Sequence, residues 1–109
     1  MNYQRTCLEE KMKTILDSLG VEFSEQISTR SGFVIDFAIY VNRSKNHKIA
    51  IETDGSPWHT SPKKRQRDGL RDHILRKEGW NVIRFDENFT SQDVKHRIDT
   101  AIQALTNPA

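Results

Sequence analysis

The strongest constraint on this chain lies between Phe33 and Asp54, where apolar side chains recur at every second position on either side of a polar turn. Strict alternation is the mark of a strand with one buried face. It predicts that Phe33, Ile35, Phe37, Ile39 and Val41 face one way and Val34, Asp36, Ala38 and Tyr40 the other. Beyond the turn at 42–47, Ile49, Ile51 and Thr53 oppose Ala50, Glu52 and Asp54. Two such runs predict an antiparallel hairpin. A turn centred near Ser44 and Lys45 sets Asp36 against residues 52–54. Matching faces narrow its partner to Glu52 or Asp54, because a slip of one residue inverts every side chain.

Asp36, Glu52 and Asp54 therefore crowd one patch. Two carboxylates roughly 5 Å apart, at an effective dielectric near 20, repel by about 3 kcal/mol before screening. A hard divalent cation such as Mg²⁺ offsets that cost, because it prefers carboxylate oxygens. Protonation of one acid, or pairing with an arginine such as Arg84, are the other remedies. His59 follows the acidic strand end, where a neutral imidazole suits proton abstraction from a metal-bound water. Packing beside Trp58 is its ordinary structural role. Cys7, His47, His59, His73 and His96 show no zinc-ligand spacing, and there is neither a glycine-rich phosphate loop nor a serine elbow.

Helices flank the hairpin. Leu8, Met12, Ile15, Leu16 and Leu19 form one apolar stripe, opened by a Thr6–Glu9 capping box and closed by Gly20. Val21 to Ile27 reads as a short strand. A long helix is expected from about Pro62 to Glu78, burying Leu70, Ile74 and Leu75 and ending at Gly79. Trp80 to Phe85 is a strand, and the last helix carries Val94, Ile98, Ala101, Ile102 and Leu105 behind a Thr90 or Ser91 cap. The order αβββαβα predicts an α/β fold, a mixed sheet of about four strands with helices on both faces.

One hundred and nine residues suit one domain over 1–109, able to stand as a fragment of a longer protein. A single cysteine excludes an intrachain disulfide, and no apolar run reaches membrane-spanning length, so a cytoplasmic protein without a membrane partner is expected. The net charge of +2 is modest, but seven of the 17 Lys and Arg residues fall between Lys63 and Lys77. Such a patch can meet a phosphate backbone, or can simply be a solvated helix face.

The run from Ile49 to His59 (IAIETDGSPWH) and that from Arg67 to Phe85 (RDGLRDHILRKEGWNVIRF) resemble the core of very-short-patch-repair endonucleases. Glu9, the segment Phe23 to Gln26, and Ile35 to Phe37 extend the resemblance. It is also similar to the EDxHD-type catalytic domains of phage homing endonucleases. The resemblance implies a restriction-endonuclease-like α/β/α sandwich of the PD-(D/E)xK superfamily. It implies Asp36 as the first metal-binding acid, with Glu52 or the Thr53 carbonyl as the next contact. Asp54 stands where many relatives carry lysine. His59 matches the compensating histidine, and Glu9 and Asp68 match two further acidic positions. Glu9 also completes its capping box, and Asp68 can pair with Arg71 along the helix. No cysteine set matches the structural zinc site of the repair enzymes.

The implied activity is Mg²⁺-dependent cleavage of double-stranded DNA, with Mn²⁺ as a substitute, by a homing or repair-type endonuclease. Lys63, Lys64, Arg65, Arg67 and Arg71 are the candidate phosphate contacts, which position a duplex without reading its sequence. Specificity would then come from a further DNA-recognition domain or a dimer partner. A non-catalytic DNA-binding module of the same fold and a junction or transposon-end nuclease are the competing expectations.

Overall fold

The structure is a computed structural model describing residues 6–44, 46–53 and 61–106. Helix α1 (Cys7–Ser18) opens with the expected capping box: Thr6 Oγ1 accepts from the Glu9 amide at 3.2 Å, and Glu9 Oε1 accepts from the Thr6 amide at 3.0 Å. Gly20, at φ +70°, lets the amides of Gly20 and Val21 return to the Asp17 and Leu16 carbonyls. That closure consumes the Val21 amide. Strand β1 consequently begins later than the apolar pattern suggests, at Ser24–Ser28 rather than Val21.

Strands β2 (Val34–Tyr40) and β3 (Lys48–Thr53) form the predicted hairpin, with Tyr40 opposite Lys48 and Phe37 opposite Ile51. Helix α2 (Pro62–Lys77) then crosses over to strand β4 (Trp80–Phe85), which pairs parallel to β3 from Lys48↔Trp80 to Thr53↔Phe85. A parallel pair needs such a crossover because no tight turn can reverse the chain twice. Gly79, at φ +95°, makes the bend between helix and strand. Helix α3 (Ser91–Thr106) is capped by Thr90, whose hydroxyl accepts from the Asp93 amide while the Asp93 carboxylate accepts from the Thr90 amide. The sheet order is β1-β2-β3-β4, and the sandwich is the mixed α/β architecture expected from the sequence. Among the described residues, no helix is long and apolar enough to cross a membrane.

Each sheet face has its own core. On one, α1 and α3 bring Met12, Leu16, Val94 and Ile98 against Phe37, Ile39, Ile49 and Ile51. On the other, α2 contributes Leu75 to a smaller cluster with Ile35, Ala38, Ala50 and Trp80.

Two expectations fail here. Ile35 does not share a core with Phe37; with Phe33 it joins the α2 cluster, so the alternation in β2 breaks at Asp36. The physical reason sits on the neighbouring strand. Gln26 adopts φ +52°, and the β1–β2 ladder runs through Glu25↔Phe37 and Ile27↔Ile35 without a pair between them. A left-handed residue in an extended strand reorients the pleat, and here it does so without inserting a residue, since the register is the same on both sides. Leu70, expected inside, is 61% exposed. Helix α2 packs instead through Asp68, Arg71, Asp72 and Leu75, a stripe at helical spacing that is mostly charged.

Candidate active site

The break in β2 falls at the acid that the sequence marks as central. Asp36 Oδ2 accepts from the Thr53 amide at 3.1 Å and lies 3.4 Å from the Thr53 hydroxyl, so the last residue of β3 fixes its side chain. Extending the β2–β3 register by one step sets Asp36 against Glu52. Their carboxyls are close enough to hydrogen-bond and to repel. Of the two partners that face-matching allows, Glu52 is the one whose carboxyl feels that of Asp36, and Asp54 lies outside the described residues.

Glu52 is 4% exposed, on the last turn of the pleat before β3 ends. Arg71 reaches it from α2: Nη2 donates to Glu52 Oε1 at 2.5 Å and to the Val34 carbonyl at 2.7 Å. Two influences then oppose one another. Burial and the neighbouring Asp36 charge favour the neutral acid, while the Arg71 guanidinium favours the carboxylate. Burial is the larger, and the Glu52 pKa is pushed up from 4.5 to about 8. Arg84, the arginine considered from the sequence, is engaged elsewhere: it holds Asp72 through Nε at 3.0 Å and Nη2 at 2.5 Å.

The remaining expected residues are distributed as follows. Glu9 is buried at the start of α1, where it closes the capping box and accepts from the Gln26 side-chain amide at 3.1 Å. That contact brings α1 to the strand position opposite Asp36. Asp68 does not pair with Arg71; its partner is Lys64, one turn earlier, at 3.1 Å. Lys63, Arg65 and Arg67 are exposed on the first half of α2, Lys64 is half-buried, and Arg71 turns inward rather than toward solvent. Asp54 and His59 lie outside the described residues. Among the described residues, no three His, Cys, Asp or Glu side chains gather in metal-holding geometry, and the acids that influence one another are Asp36 and Glu52.

Arg71 is the site residue that sequence reasoning misplaced. Its signal was legible: Asp68, Arg71 and Asp72 recur at the spacing where a sheet-facing helix normally carries apolar residues. Charges on the buried side of a helix need partners on the sheet.

A mixed four-stranded sheet between helices, with an acidic pair at the end of its hairpin, defines a restriction-endonuclease-like core. The chain belongs to the restriction-endonuclease family REase_MTES_1575, whose model matches residues 8–106. In three dimensions it is similar to the homing endonuclease I-Bth0305I catalytic domain, at TM-score 0.59 and 22% identity over 93% of this chain and 94% of that one. At that identity the likeness is one of fold. No curated protein sequence matches the chain.

Proposed function

We propose that this nuclease-family domain is a divalent-metal-dependent endonuclease that hydrolyses phosphodiester bonds in double-stranded DNA. Its place would be the catalytic part of a homing or repair-type enzyme. The observation that carries this reading is the Asp36–Glu52 pair, two carboxyls brought together on adjacent strands with one of them almost fully buried. An all-oxygen donor set under mutual repulsion fits Mg²⁺, with Mn²⁺ as a substitute.

Asp36 and Glu52 would hold the ion, with the Thr53 carbonyl or Asp54 completing the protein contacts. When bound, the ion supplies Lewis-acid stabilisation of charge developing on the scissile phosphate. The Thr53 amide keeps Asp36 from rotating away. His59 accepts the proton of the attacking water, and Glu9 and Asp68 orient that histidine or ordered water. Lys63, Lys64, Arg65 and Arg67 hold the duplex by its phosphates, which supplies salt-dependent affinity and leaves sequence choice to a further domain or a second subunit.

Incubation with supercoiled plasmid tests the proposal. Nicking is expected in Mg²⁺, absent in EDTA, and lost in Asp36→Ala with an unchanged circular-dichroism spectrum. His59→Ala should slow the reaction about 10²–10⁴-fold with the fold retained. Metal-independent DNA binding with no cleavage in any of these conditions would identify a non-catalytic module instead.

A further inference from the structure

One nitrogen touches both strands that carry the acids. Nη2 of Arg71 has two hydrogens, and both are used: one bond goes to the Glu52 carboxyl on β3, the other to the Val34 carbonyl on β2, two residues before Asp36. The same guanidinium lies 5.4 Å from the centre of the Phe33 ring. Its Nε is buried and finds no acceptor among the described residues. An unpaired buried N–H is costly, and a helix anchored only for stability has cheaper solutions, such as a leucine. Arg71 accepts that cost in a pose that ties β2 to β3 beside Asp36 and Glu52.

Resting on the metal-dependent reading above, we propose that Arg71 is a positioning residue for the cation cradle. By gripping Oε1 of Glu52 and the backbone of β2 together, it sets the separation of the two carboxyls and stops Glu52 from rotating away from Asp36. Lysine at 71 would keep the charge but not the planar, two-hydrogen bridge between strands.

Mn²⁺ binding to the protein without DNA, followed by titration calorimetry or by the electron-spin-resonance signal of free Mn²⁺, tests this directly. Partners that orient metal ligands are typically worth 10–100-fold in affinity, and Arg71→Met should weaken Mn²⁺ by that range. Arg71→Lys should recover part of the loss. Leu75→Ala, which loosens α2 one turn further along without touching either acid, should lower the melting temperature and leave Mn²⁺ affinity unchanged. A folded Arg71→Met binding Mn²⁺ within about twofold of wild type would overturn the proposal, as would an equal loss of affinity in Leu75→Ala. If Arg71→Met does not fold, Arg71→Lys decides the matter, since affinity equal to wild type refutes the bridge. Wild type that binds no Mn²⁺ would refute the metal reading itself, a result distinct from any of these.

Discussion

The two faces of the sheet are built on opposite terms. Against one, α1 and α3 press Met12, Leu16, Val94 and Ile98 onto Phe37, Ile39, Ile49 and Ile51, a continuous apolar layer. Against the other, α2 offers Leu75 and then, toward its N-terminal half, Asp72, Arg71 and Asp68, each held by an ion pair. The first face buries area and the second buries charge. Area burial stabilises a fold without regard to direction, whereas a buried charge constrains geometry and returns little stability. Cohesion and buried charge are therefore segregated across a single layer of backbone, and Glu52 belongs with the charged face.

Phe37→Ala should have the largest effect, because it strikes the cohesive face: a loss of about 3–5 kcal/mol in urea unfolding. If the separation of faces holds, whatever protein remains folded should bind Mn²⁺ normally. The charged face should respond to pH instead. In EDTA, between pH 4.5 and about 8 the folded chain keeps a proton on Glu52 that the unfolded chain has released. The unfolded state then binds fewer protons, so stability falls as pH rises through that window. The drop should be a few kcal/mol, and Glu52→Gln should flatten the profile and raise stability at pH 8. A profile that climbs instead would mean that Arg71 prevails over burial. The smallest effect belongs to Leu70→Ser. Although apolar, Leu70 is exposed, and its loss should change the unfolding free energy by less than about 0.5 kcal/mol. A larger loss would mean that α2 buries more than its charged stripe.

The elements that local chemistry dictates were legible. Thr6 and Glu9 announced the first helix, Gly79 its place at the end of α2, and the alternation of residues 48–53 the buried β3. Parity and turn position also narrowed the partner of Asp36 to Glu52 or Asp54. What escaped depends on partners distant in the chain. Nothing near Ile35 discloses that Gln26, on another strand, adopts a left-handed backbone and resets the pleat. Leu70, Ile74 and Leu75 resemble an apolar helix side until the sheet supplies Glu52 and Arg84 as counterparts for Arg71 and Asp72. Periodicity assigns a face by hydrophobicity, and a helix that docks through ion pairs defeats it.

The interrupted pleat has a mechanical consequence for Asp36. Its two neighbours are rooted in different layers, Ile35 beneath α2 and Phe37 beneath α1 and α3. The acid is thus riveted through the thickness of the molecule. Two separate layers of packing hold the link of chain that carries it, so loosening one leaves the other still fixing the acid in place.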